Sequence, residues 1–361
     1  MKIIKPILII LFLTLILTPA NSFAFKNKFT LFKNIKVGKE PRSLVFDKLN
    51  GYVYVANANS GSVSVIDSKI NSVVKTIKVG SSPINITDSL NGKFIYVANL
   101  DSKTISIINA EINRVVDTIK INSSPFKIAV NPNGKYIYIA GGNEIYFVNV
   151  RTDKVVVPYY ISGGHIKISP HGSYLFIGDG MKREFAAGDT IAVINLKNGK
   201  TINSDWNLGH HLCVKGNYLY VANPNSGIIS IVNFRNGNLI AAIIDNLYPW
   251  ELIAAPNGQY VYAVNNIGNN ISIISSTLKK IIKTVNVGSS PDAIVVSPNS
   301  KYVYVANSND NSVSIIDARS QSVISTVRVG SDPVSETLSS NGRYVYVANF
   351  ISNTVSVIKD K

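Results

Sequence analysis

Four polar side chains recur at one position of a repeated sequence pattern, and their types could do chemistry. The position is two residues after the proline that opens a short strand, or two residues after the residue that replaces this proline. In four consecutive repeats the position is occupied by Lys127, His165, His211 and Glu251. Two imidazoles and a carboxylate are ligands that zinc accepts. A lysine beside two imidazoles instead favours an anion such as a carboxylate or a haem propionate. The residues therefore leave three alternatives open: an anion or organic-ligand site, a metal site at His165, His211 and Glu251, or polar residues that line a wet channel.

Three further residues are expected at the same rim, because each stands one position before that level in its own strand. They are His210, Trp250 and Asp292. A loop at residues 179–189, which is longer than its equivalents and has glycines at both ends, is expected to act as a flap over this site.

The elements that must position these residues follow from the tetrapeptide Tyr54-Val55-Ala56-Asn57, which returns with variations along the chain. Its eight copies begin at Tyr54, Tyr96, Tyr138, Phe176, Tyr220, Tyr262, Tyr304 and Tyr346. Each period holds four short runs of alternating polarity separated by turn residues. Four strands in a unit of roughly 40–45 residues are typical of a propeller blade. The sequence therefore predicts an all-β, closed β-propeller of four-stranded blades.

The two ends of the repeat array predict how the ring closes. The last unit, residues 331–359, stops after its third strand, whereas residues 30–38 read like a fourth strand that has no unit of its own. We expect the N-terminal strand to complete the last blade, which gives eight blades. The fourth unit departs most from the repeat, and the count would be seven if that unit were an insertion.

Residues 1–24 have a different composition from the rest of the chain. Two lysines precede an uncharged apolar run from residue 7 to residue 18, and Ser22-Phe23-Ala24 follows. This pattern predicts a secretory signal peptide, and the run is shorter than the roughly 20 residues that span a membrane. We expect residues 25–361 to form one exported domain, in the periplasm, at the cell surface or secreted, without a transmembrane segment. The full chain of 361 residues is 46% apolar and 16% charged, a composition that can bury a large core.

The repeat also resembles a known family. The segment Ser289–Asp317, with the core Lys301-Tyr302-Val303-Tyr304-Val305-Ala306-Asn307, is similar to the YVTN-repeat β-propellers of exported bacterial and archaeal proteins. The resemblance covers nearly all of residues 25–361. It implies a propeller of the periplasm or cell surface that binds or scaffolds and shares no catalytic motif with its relatives.

The chain lacks a nucleophile elbow, a phosphate-binding loop and a zinc-protease helix motif. We therefore expect a monomeric, non-catalytic binding or scaffold module for a protein, a glycan or a small ligand, with no cofactor predicted; enzymatic activity is left open. The alternative is a metal- or cofactor-binding propeller, haem d1-like or lactonase-like, that uses the channel mouth. The net charge of +15 permits nucleic-acid binding, but lysines dispersed over outer strands disfavour it.

Overall fold

The computed structural model describes residues 28–142, 144–152, 154–159, 164–178, 191–204, 209, 211–245 and 247–361. Within these residues the chain forms 32 β-strands and a single 3₁₀ turn at Ala58–Ser60. The strands make eight antiparallel sheets of four. We number the sheets as blades 1 to 8 in the chain order of their innermost strands. The signal peptide, the loop at 179–189 and His210, all predicted above, lie outside the described residues.

The innermost strands are β2 (Pro41–Phe46), β6 (Pro83–Asp88), β10 (Pro125–Val130), β14 (His165–Ile168), β18 (His211–Lys215), β22 (Pro249–Ala254), β26 (Pro291–Val296) and β30 (Pro333–Leu338). The second strands are β3 (Tyr52–Asn57), β7 (Phe94–Asn99), β11 (Tyr136–Gly141), β15 (Tyr174–Gly178), β19 (Tyr218–Asn223), β23 (Tyr260–Asn265), β27 (Tyr302–Asn307) and β31 (Tyr344–Asn349). In seven blades the tetrapeptide therefore ends the second strand, and in blade 4 its first three residues do so.

The third strands are β4 (Ser62–Asp67), β8 (Thr104–Asn109), β12 (Glu144–Asn149), β16 (Ile191–Asn195), β20 (Ile228–Asn233), β24 (Asn270–Ser275), β28 (Ser312–Asp317) and β32 (Thr354–Asp360). The outer strands are β5 (Ser72–Lys78), β9 (Arg114–Lys120), β13 (Lys154–Tyr159), β17 (Thr201–Ser204), β21 (Asn238–Ile244), β25 (Lys280–Asn286), β29 (Ser322–Arg328) and β1 (Phe29–Lys36).

The blade count and the closure agree with the sequence prediction. The degenerate fourth unit forms its own sheet, β14 to β17, so the count is eight rather than seven. Strand β1 pairs antiparallel with β32 and supplies the outer edge of blade 8. The ring is closed, since Leu44 of blade 1 packs in one cluster with Tyr346 and Ala348 of blade 8.

The core lies between neighbouring blades rather than inside any one of them. The second strand is buried on both faces, and Val53, Tyr54, Val55 and Ala56 are all 0% exposed. Tyr54 and Ala56 face blade 2, where they join a cluster with Ile86. Because every blade repeats this arrangement, each innermost strand has one face toward the previous blade and one toward the next.

Six of the eight second strands end in an asparagine, and Asn307 shows how this side chain holds the strand end. The buried side chain of Asn307 donates hydrogen bonds to the hydroxyls of Ser312 and Ser314, at 3.1 and 3.0 Å. The turn before β26 lies directly against this amide, since a Cβ built on Gly288 would be 2.7 Å from Asn307 Cγ. Glycine is therefore required there, and the turn fixes where the innermost strand begins. No helix in the described part of the chain is long and apolar enough to cross a membrane.

Candidate functional site

Strand register places the four predicted polar residues at one level of the ring. Each of the eight residues at this position pairs with the third residue of its blade's tetrapeptide. The pairs are Ser43–Ala56, Asn85–Ala98, Lys127–Ala140, His165–Gly178, His211–Ala222, Glu251–Val264, Ala293–Ala306 and Ser335–Ala348. Because the innermost strands of consecutive blades are neighbours, this level is a belt around the channel, and the partner is small in nearly every blade.

Side chains at this level face the next blade in the ring. Ser43 Oγ accepts a hydrogen bond from the backbone N–H of Ile86, at 3.4 Å, and Asn85 Oδ1 accepts one from Ile128, at 3.0 Å. The Glu251 carboxylate accepts one from the backbone N–H of Ile294. In blades 1, 2 and 6 this side chain thus accepts a hydrogen bond that links one innermost strand to the next. An ammonium group has no lone pair, so Lys127 does not make this link.

Aromatic rings from three consecutive blades form a row along the channel. The ring centroids of His165 and His211 are 4.2 Å apart with an interplanar angle of 51°, and those of His211 and Trp250 are 4.7 Å apart at 45°. Tyr248 continues the row, stacked on Trp250 at 6.4 Å. His211 is buried, while His165 and Trp250 are half-buried. The row lines this part of the ring with polarisable aromatic side chains that are tilted against one another.

The Lys127 ammonium has no hydrogen-bond or ion-pair partner among the described residues. Burial lowers the pKa of Lys127 to about 8, the charge of Lys167 acts in the same direction, and Glu251 opposes them. Lys167 is exposed, on the same face of β14 as His165 and two residues after it. Blades 3 and 4 therefore present two cationic groups to the channel, of which the half-buried Lys127 has no partner within the described part of the chain.

The opposite sector of the mouth is acidic. Burial raises the pKa of Glu251, with Asp292 acting in the same direction and the two lysines of blades 3 and 4 opposing. The pKa of Asp292 is also raised, first by burial and then by Asp332, while Arg42 opposes. The belt is therefore polarised, with cations on blades 3 and 4 and acids on blades 6 and 7.

Glu336 is a residue that the sequence reasoning missed. It stands one position after the belt residue in blade 8, where the other seven blades have leucine or isoleucine. It is 8% exposed, and neither carboxylate oxygen has a hydrogen-bond partner among the residues that the structure describes. Burial raises its pKa well above the usual value, and Glu251 adds to the shift. Aligning the eight innermost strands column by column would have found it.

The three residues proposed as metal ligands do not come together as a set. His165 and His211 are in contact, but no three His, Cys, Asp or Glu side chains among the described residues form a metal-holding group. The nearby Cys213 thiol is buried, and burial raises its pKa to about 11. A thiol in that state is protonated and inert. The site therefore presents imidazole, indole and ammonium groups rather than a three-ligand metal cage.

Comparison with known proteins gives two family-model matches, each over a part of the chain. The model described as Cytochrome D1 heme domain matches residues 254–361, and the LVIVD repeat matches residues 210–232. Both are consistent with a β-propeller repeat family. No curated protein matches the chain.

Two solved structures share the fold at low sequence identity. Hydrazine synthase of Kuenenia stuttgartiensis is similar with a TM-score of 0.61 and 20% identity, over 89% of this chain and 96% of that chain. Dihydro-heme d1 dehydrogenase NirN, in complex with DHE, is similar with a TM-score of 0.73 and 14% identity, over 91% of this chain and 75% of that chain. At such identities the likeness concerns the fold.

Proposed function

We propose that this protein is a non-catalytic binding propeller that takes a small, flat, carboxylate-bearing organic ligand at the channel mouth. The observation that carries the proposal is the half-buried Lys127 ammonium, which stands where three other blades have an inter-blade acceptor and has no hydrogen-bond or ion-pair partner among the described residues. A partly desolvated charge without a partner is unfavourable, and an anionic ligand would offset that cost. The row of His165, His211 and Trp250 beside it suits the face of a conjugated ring.

A tetrapyrrole with carboxylate side chains is a second candidate within this class. The Cytochrome D1 heme domain match to residues 254–361 favours it, and NirN, named as a dihydro-heme d1 dehydrogenase, has a similar fold. The donor set fits such a group, since His165 and His211 supply ring nitrogens and Lys127 a carboxylate partner. When bound, such a group would supply light absorption and redox chemistry. The residues of this chain would bind it, orient it and exclude water.

We also propose that the protein is exported and that it belongs to the YVTN-repeat family. The N-terminal composition of residues 1–24 and the tandem tetrapeptides support them. A binding propeller could instead act as a monomer that binds a protein or a glycan. Such a partner would contact the face that carries the channel mouth.

The first experiment measures binding of two carboxylated probes, benzoate and coproporphyrin, by isothermal titration calorimetry. Lys127→Met should weaken both by about tenfold or more, because hydrogen bonds to a charged group contribute roughly 1.5–3 kcal/mol. Affinity should also fall as the pH rises through about 8, where Lys127 loses its proton.

The matched control is Lys120→Met, which removes an exposed lysine from the outer strand of blade 2. This variant should bind like the wild type. Equal losses in both lysine variants would mean that the probes respond only to net charge, and full binding by Lys127→Met would overturn the proposed site. Binding of coproporphyrin without benzoate would select the tetrapyrrole candidate.

A further inference from the structure

Lys127 differs from the other lysines of the described chain in its surroundings. It lies on an innermost strand opposite the small side chain of Ala140, whereas most lysines lie on outer strands or in turns. Its ammonium makes no hydrogen bond or ion pair with a described residue. It faces blade 4. At the same position of blade 2, Asn85 accepts a hydrogen bond from the backbone N–H of Ile128 in the next blade, and a lysine cannot accept such a bond. The amine is therefore held in the channel wall with its end free to meet a ligand.

A second amine acts on this group. Lys167 of blade 4 is close enough to disfavour the charged form of Lys127, and burial acts in the same direction, so the pKa of Lys127 is about 8. Lysines at ordinary exposure titrate near 10.4, so near neutral pH the neutral fraction of Lys127 is on the order of a hundredfold larger. The neutral amine is the nucleophile, and a nearby cationic group is a known means of activating a lysine.

We propose that Lys127 captures small carboxylated carbonyl compounds, such as 2-oxo acids and aldehyde acids, as a reversible imine. This inference rests on the proposed function, since the carboxylate must first enter the channel mouth beside Lys167 and the imidazoles. The neutral amine attacks the carbonyl carbon and the C–N bond forms. The carbonyl oxygen then leaves as water with the two amine hydrogens, so that nothing is oxidised or reduced.

The probe is glyoxylate, a small aldehyde acid, with cyanoborohydride added to reduce any imine to a stable carboxymethyl amine. The intact protein is treated near neutral pH and its lysines are mapped by peptide mass spectrometry. Lys127 should carry at least tenfold more adduct than Lys120, because its amine has a much larger neutral fraction there than that of an ordinary exposed lysine. Adduct spread evenly over the lysines, or absent from Lys127, would overturn the proposal.

Two variants separate reactivity from charge. Lys127→Arg keeps a cation but removes the nucleophile, and should lose the adduct at this position. Lys167→Met removes the second amine, and should move half-maximal labelling of Lys127 to higher pH because the ammonium is no longer repelled. An unchanged labelling profile in Lys167→Met would contradict the activation argument. Circular dichroism of each variant confirms that the propeller is folded.

Oxalate, an anion without an aldehyde or ketone group, distinguishes failure of the imine from failure of the proposed function. Oxalate binding by the wild type that is lost in Lys127→Met, together with no glyoxylate adduct on Lys127, would overturn the imine and leave the anion site standing. Absence of both would overturn both. We expect oxalate binding and a glyoxylate adduct at Lys127 in the same preparation.

Discussion

Glu336 shows how a single residue can depart from the repeat without changing the fold. Its position packs against the previous blade in every copy, and leucine or isoleucine fills it in the other seven. In blade 8 the carboxyl group has the same burial but no partner for either oxygen. Folding must therefore desolvate this group, and the cost is smaller when it is protonated, which is why its pKa is raised.

The stability of the protein should depend on the protonation of Glu336. The folded state binds this proton more tightly than the unfolded chain, so stability is greatest below the unfolded pKa of about 4.3 and declines as the pH rises toward the folded value. Glu336→Leu should remove this decline and stabilise the protein near neutral pH by about 2 kcal/mol. Urea unfolding at acidic and neutral pH measures both effects.

Glu111→Leu is the control for Glu336→Leu, because Glu111 is exposed on blade 2. It should leave both the stability and its pH dependence nearly unchanged. If Glu336→Leu were less stable than the wild type near neutral pH, the carboxylate would have a stabilising partner that the buried geometry does not provide.

At the scale of elements, β1 differs from the other outer strands in its connectivity. It is far in sequence from the sheet that it completes. Its residue Phe29 is 2% exposed and meets the rings of Tyr302 and Tyr304 edge-on, at 5.0 and 6.0 Å between centroids. Phe32, three residues later, is 50% exposed. The closure therefore depends on the buried side chains of Phe29 and Ile35, the latter 4% exposed, in addition to the strand pairing.

Phe29→Ala should destabilise the protein by about 3 kcal/mol, since it leaves a cavity between blades 7 and 8. The matched variant Phe32→Ala removes the same ring from solvent-facing surface and should cost under about 1 kcal/mol. Denaturant unfolding of both variants provides the comparison. Equal costs would mean that packing of Phe29 has no part in closing the ring.

Much of this architecture was predictable from the sequence because the repeat is regular. The tetrapeptides located the second strands, and the offset from each proline located the belt that contains Lys127. The sequence predicted that His165 and His211 lie at one level on adjacent blades. The 4.2 Å between their ring centroids was not predictable, because it depends on how far apart adjacent innermost strands are in the closed ring. The burial of Glu336 could have been read from the alignment, but its lack of partners depends on the packing of blade 7 against blade 8.

At the scale of the whole molecule, the two ends of the described chain meet. The backbone N–H of Lys361 donates to the carbonyl of Lys28 at 2.9 Å, and the side chains of Lys28 and Asp360 are 3.3 Å apart. The ring is thus interrupted inside a blade, between a third and a fourth strand. A break there leaves every interface between neighbouring blades intact.

Circular permutants test whether the position of the break matters. Joining Lys28 to Lys361 and opening the exposed turn between Arg319 and Ser320 splits blade 7 in the same way as blade 8 is now split. Opening between Gly288 and Ser289 instead leaves the ends between two blades. We expect the first permutant to unfold near the wild-type denaturant midpoint and the second at a lower one, because no strand then ties the last blade to the first. Equal midpoints would show that closure inside a blade adds nothing.

The strand register allows the ligand specificity of such a protein to change without a change of fold. In each innermost strand, the residue that faces the channel belt and the residue that packs against the previous blade are consecutive, and they point to opposite sides. Substitutions at the first kind of position can alter what is recognised while the second kind preserves the fold. New specificities could therefore evolve, or be engineered, one blade at a time.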